Sequence, residues 1–344
     1  MSTEARVAPH AAGAPRRRRL GLLVGLAVAV VVAVLLSLAV GSLFIPPGQV
    51  VASLLHATGS ADDGVVRSLR VPRTLLGLEV GAALGVAGAL LQGFTRNPLA
   101  DPGILGINAG AAFLVVVGIN LLGVASFAGY VWFAFAGAAL AGVLLVVLGA
   151  GGRMGATPVT LALAGAALSA VLTGITTAIV LSDQTTLDEY RFWSVGSLSG
   201  RASETLVPVL FVVVPGLLLA LATAPGLNAL ALGDDVARSL GVPVGALRIL
   251  GLVAVTLLAG GATAAAGPIA FVGLVVPHIV RSVTGPDYRW LLPAAALAGI
   301  VLILLADVVG RVLAPPSELQ VGVVLAVIGA PFFVALVRRR SVGA

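Results

Sequence analysis

Cysteine is absent from the 344 residues, and so is lysine: all 20 basic side chains are arginine. Without cysteine there can be no disulfide, iron–sulfur cluster or thiolate metal site. Without lysine the chain cannot build the Gly-Lys-Ser/Thr end of a P-loop, whose lysine reaches the β- and γ-phosphates. Any ATP-driven work therefore takes its nucleotide site from another subunit. Charge is scarce as well, at 10% of residues against about 25% in ordinary soluble domains. The three histidines, His10, His56 and His278, are scattered, and one histidine without partners is not a metal site. Hydrophobic residues make up 59% and the mean hydropathy is +1.13, the balance of an integral membrane protein.

Runs of about 20 apolar residues are long enough to cross a bilayer. Ten such spans are predicted, at 20–43, 74–94, 103–123, 127–148, 158–182, 205–223, 246–264, 268–283, 290–312 and 319–337. The fold class is all-α: a polytopic membrane protein with about ten transmembrane helices in one domain, 20–340. Residues 1–19 read as a disordered cytoplasmic tail. The first apolar run exceeds the ~7–15 residues of a secretory signal, so it is a retained span. An amphipathic piece follows Pro46-Pro47, and Tyr190, Phe192 and Trp193 suit a short helix lying at the membrane interface. With the N-terminus inside, fourteen arginines fall in cytoplasmic segments and six outside, in agreement with the positive-inside rule. Both termini are then cytoplasmic, and the net charge of +6 reflects topology rather than nucleic-acid binding.

Residues 67–112 organise the rest. Arg67, Arg70 and Arg73 precede span 2, and Gly77, Gly81, Gly85 and Gly88 lie three or four apart within it. Such a face lets neighbouring helices approach closely. The wording R-x-P-R-x-L, then G-A-A-L-G-x-x-G-x-x-x-Q, then R-N-P-L-A-x-P-x-x-L-G resembles the FecCD-type permeases. Span 8, G-P-I-A-F-V-G-L-V-V-P-H-I-V-R, is similar to the same family. These are BtuC-like membrane subunits of ATP-driven importers of iron-siderophores, haem and cobalamin, with the type II importer permease fold.

The resemblance implies a permease, not an enzyme, with ferric siderophores as the leading cargo and haem or cobalamin as alternatives. Its partners would be ABC ATPase subunits carrying ATP-Mg, an extracytoplasmic substrate-binding (lipo)protein, and a second permease copy or paralogue. This chain would carry no cofactor. The polar segment 224–247 matches the loop that couples to the ATPase, with Gly233, Asp234, Ala237, Leu240 and Gly241 as its residues. Arg70, Arg73 and Arg311 match positions that dock the binding protein. Glu79, Gly81, Gly85, Gly88, Gln92, Asn97 and Pro98 are expected along the pathway, Glu79 standing where the family has an apolar residue. Asp307, four residues before Arg311, is placed to pair with it. A second class of function stays open, an ion-coupled transporter using Glu79 and Asp307.

Overall fold

The computed structural model describes residues 16–41, 44–56, 59–124, 126–150, 158–200, 202–315 and 317–341. Most of the expected tail, 1–15, lies outside them, as do Arg6, Arg153 and Arg201; Arg16–Arg19 form the first turn of a helix. Among the described residues the secondary structure is helical, with no strand. The helices are α1 (Arg16–Ala39), α2 (Pro47–Leu55), α3 (Ala61–Gly64), α4 (Val71–Thr95), α5 (Ile107–Leu122), α6 (Phe127–Ala150) and α7 (Pro158–Ser182). They continue with α8 (Gln184–Ser194), α9 (Ala202–Leu230), α10 (Asp234–Ser239), α11 (Val244–Ala266), α12 (Val272–Thr284), α13 (Tyr288–Leu313) and α14 (Val321–Ser341).

Eight of these are long and apolar enough to cross a membrane. The other two of the ten predicted spans, α5 and α12, are shortened to 16 and 13 residues. At ~1.5 Å per residue, α12 covers only about 20 Å of a core ~30 Å thick. The cause is local in each. Residues 102–105 wind as a single 3-10 turn that ends at Gly106, φ 81°. Residues 267–270 are not helical, and Phe271 enters α12 at φ 70°. Span 6 deviates the other way. Helix α9 runs through Pro208, Pro215 and Pro225 to Leu230, so the loop proper is residues 231–243.

Helix α4 is the centre, packed on α13, α11, α9 and α12. Three of its glycines are closed by backbone: a Cβ on Gly81 would strike Gly299 and Ile300, one on Gly85 the Ala295 carbonyl, and one on Gly88 the backbone of Gly273. The Gly110–Gly137 contact brings α5 and α6 together in the same way. Helices α1, α7, α9 and α14 form the exposed apolar perimeter. The short connecting helices sit at the bundle ends as the sequence suggests. Asp183 caps α8 through Thr186, and Trp193 of that helix is buried and stacked on Tyr190.

Candidate functional sites at the two ends of the bundle

The end carrying the α1 N-terminus is called here the near end, its opposite the far end. At the far end, α1 stops with the carbonyls of Ser37, Leu38, Ala39 and Val40 exposed, because the last turn of any helix lacks intrahelical donors. Two guanidiniums supply them. Arg70 Nη1 donates to Leu38 O and Ala39 O at 2.7 and 2.8 Å. Arg311 Nη1 donates to Ser37 O and Val40 O at 2.9 and 3.0 Å. Cationic groups at a helix C-terminus also oppose its dipole. Asp307 lies between Arg311, at 2.9 Å, and Arg73, also at 2.9 Å, and Arg73 Nη1 reaches Glu318 at 2.6 Å. Ser37 Oγ joins the set through Thr74 Oγ1 at 2.8 Å.

These are the three arginines expected to dock the binding protein. Arg70, Arg73 and Arg311 turn inward, and Arg70 and Arg311 are only 5% and 2% exposed. The acceptors that hold them are the orphan carbonyls of α1 and the Asp307 carboxylate. The expected Asp307–Arg311 pair does form, and it includes Arg73 from α4. Asp307 is therefore a structural ion pair rather than a free carboxylate for an ion to bind.

At the near end, Gly233 and Gly241 flank α10 at φ 109° and 81°, conformations that glycine adopts without strain. Asp234 opens the helix and ties it to its surroundings, pairing with Arg96 and Arg248 at 2.7 Å each. Arg96 is the left-handed C-cap of α4 and Arg248 is in the first turns of α11, so one carboxylate links three helices. Ala237 is buried and seats α10, whereas Leu240 is 62% exposed. Leu232, in the turn before Gly233, and Val236, within α10, are exposed as well. Sequence reasoning found Leu240 and missed the exposed Leu232 and Val236 near it.

The pathway residues divide. Gly81, Gly85 and Gly88 pack backbone against α13 and α12, as the tight-packing reading of that face predicts. Gln92 is buried, its Nε2 donating to the carbonyls of Gly273 and Leu274 at 3.2 and 3.3 Å. It thus braces the start of α12, where the helix is broken. Asn97 shapes the loop, its Oδ1 accepting from Leu99 N–H at 3.0 Å. It borders a cavity of about 300 Å³ with Asp101 and Leu163. Pro98 borders another of about 520 Å³. Glu79 is half-buried, and its Oε2 has no hydrogen-bond partner. It shares a partly open stripe of α4 with Leu75 and Leu78. Among the described residues no group of three or more His, Asp or Glu is placed to hold a metal ion.

Comparison with known proteins places this architecture. Residues 29–339 match the model of the FecCD transport family. The ferric enterobactin transport system permease protein FepD of Escherichia coli is 46% identical over 319 residues, 93% of this chain and 95% of that one. The probable siderophore transport system permease protein YfiZ of Bacillus subtilis is 40% identical, covering 85% of this chain and 87% of that one. A cobalamin import system permease protein, BtuC of Halobacterium salinarum, is 41% identical, with 81% and 75% covered. A solved inward-facing metal-chelate type ABC transporter superposes with TM-score 0.82 at 28% identity, covering 93% of this chain and 99% of that one.

Proposed function

The chain belongs to the FecCD transport family, and from that membership we propose that it conducts ferric siderophores inward across the bacterial cytoplasmic membrane. It does so as the permease subunit of a binding-protein-dependent, ATP-driven importer, with both termini cytoplasmic. Among the relatives one is named for ferric enterobactin, a second for siderophores and a third for cobalamin; a ferric siderophore is the reading that the higher identity of the first favours.

The observation that carries the reading is α10. With Leu232 in the turn before it and Leu240 at its C-cap, Val236 of this helix makes an apolar ridge that is open on the near end, a surface suited to a partner's groove. Asp234 ties it to the end of α4 and the start of α11. An ATPase subunit, bearing the ATP-Mg that this lysine-free chain cannot cradle, would push on the ridge and shift α4 and α11 together. Two states of the bundle would then be exchanged by nucleotide binding elsewhere.

Helix α7 supports a second permease copy or paralogue. Ala162, Ala166, Ala170, Thr173 and Thr177 form an exposed, charge-free stripe of small residues, and small faces are how spans associate in lipid. The cargo would pass between two such chains. Glu79 would meet it from the far side, and Asn97 and Pro98 at the near-end exit. Binding-protein docking falls to the far-end surface, since Arg70, Arg73 and Arg311 are held inside.

The test is uptake of iron-55 as a ferric siderophore into vesicles holding this chain, its co-purified ATPase and its binding protein. Uptake that needs ATP and stops in Leu240→Asp supports the reading. Uptake that runs on an ion gradient without the ATPase overturns it in favour of the ion-coupled class, for which Glu79 alone remains available.

A further inference from the structure

We propose that the near-end cavity between α4, α9, α12 and α13 is a binding site for a phosphate-bearing anion that carries its own hydroxyl hydrogen. The site goes beyond the transport reading and does not rest on it.

The cavity, about 520 Å³, is bordered by Gln92, Arg96, His278, Arg281 and Tyr288, and no carboxylate lines it. Sites for small molecules span roughly 300–1,000 Å³, so the space suits a phosphate with an esterified group as well as the free ion. Arg281 is the cation that asks for a ligand. It makes no ion pair among the described residues; its Nη2 donates to Tyr288 Oη at 3.4 Å and its plane lies 5.7 Å from that ring. Its Nε is buried and has no acceptor. By contrast Arg96, on the rim, is paired with Asp234 and Arg19 with Asp287, so neither carboxylate is free to neutralise Arg281. A planar guanidinium with donors to spare matches phosphate oxygens in a fork.

Gln92 sharpens the class. Both Nε2 hydrogens are used on the carbonyls of Gly273 and Leu274, which fixes the amide's orientation and leaves Oε1 buried without a donor. A buried acceptor left unmade calls for an explanation. A fully deprotonated anion would be repelled by this oxygen. Hydrogenphosphate, or a phosphate ester bearing a hydroxyl, gives Arg281 its oxygens and donates its O–H to Gln92. The position adds the source. The cavity opens at the ends of spanning helices, where basic pockets between helices hold anionic headgroups.

Two arms separate a headgroup from a free ion. In the first, the delipidated full-length protein in detergent is titrated calorimetrically with inorganic phosphate and with sulfate. In the second, native mass spectrometry follows lipid retained after exposure to phosphatidylglycerol or phosphatidylcholine. Phosphate binding ~10-fold tighter than sulfate is expected, since sulfate cannot donate to Gln92. Arg281→Gln should weaken phosphate by ~10-fold or more, and Gln92→Met should bring phosphate and sulfate near parity. Retained phosphatidylglycerol, lost in Arg281→Gln, assigns the site to a lipid; phosphate binding without it assigns a soluble ion. The wild-type contrast between phosphate and sulfate stands even if a variant fails to fold. The proposal is overturned if the wild type binds neither phosphate nor phosphatidylglycerol, or if Arg281→Gln binds as the wild type does. It falls too if only a co-purified ATPase shields Arg281 from phenylglyoxal, which would make the cavity a protein socket.

Discussion

The two ends of the bundle handle arginine in opposite ways. At the far end Arg70 and Arg311 are buried and Arg73 nearly so, and they donate to α1 carbonyls, Asp307 and Glu318. At the near end Arg96, Arg238 and Arg248 gather around the partly exposed Asp234, and Arg281 makes no ion pair among the described residues. Buried pairs hold structure in place because separating them strands a charge; exposed pairs are cheap to exchange. The far end is therefore built to stay put and the near end to move, a division suited to a permease pushed from one side.

The largest expected effect comes from breaking the far end. Asp307→Asn leaves Arg73 and Arg311 without their shared carboxylate, and removing one partner of a buried pair costs about 3–5 kcal/mol. Thermal unfolding of the purified protein should show the loss; an unchanged melting temperature would mean that the pair is not buried in the membrane. Gly85→Val comes next, because its side chain meets the Ala295 carbonyl directly. Overpacking of this kind costs roughly 1–3 kcal/mol, and the same thermal assay reads it.

Near-end changes should cost little stability and much function. Leu240→Asp removes an exposed apolar anchor, with a stability change within about ±0.5 kcal/mol and an expected ~10-fold weaker capture of the ATPase, as for an interface anchor. Retained capture would sink α10 as the seat. Asp234→Asn loses three partly exposed pairs worth about 0–1 kcal/mol each. ATPase binding should persist while ATP-driven uptake falls, a split measured by comparing pull-down with transport. If both survive, the link from α10 to α4 and α11 is not mechanical.

Length and hydropathy made the ten spans legible, because a membrane demands both of any helix that crosses it. The breaks before α5 and α12 were not, since Phe271 at positive φ carries no sequence mark and Gly106 is one glycine among 44. The glycine face of α4 could be read from spacing, yet spacing is silent on whether bare backbone meets a helix or a pathway; Gly299 and Gly273 decide it. The arginines at 70, 73 and 311 looked outward because charges usually do. The carbonyls at the end of α1 that Arg70 and Arg311 meet belong to every helix end and leave no trace in the residue types, and the carboxylates that Arg73 meets lie 234 and 245 positions away. Asp234 was legible as a helix start, but its reach to Arg96 spans 138 positions.

That capping of α1 also sets an order in time. Helix α1 is made first and Arg70 soon meets two of its end carbonyls, but Ser37 O awaits Arg311, 274 residues later. At about 5–20 residues per second, ribosomal synthesis separates the two by roughly 15–55 s. During that interval α1 sits in the bilayer as an unfinished part, its insertion complete and its seating not. The late spans thus finish fastening the first, and a chain cut short before α13 would leave the Ser37 and Val40 carbonyls without their guanidinium.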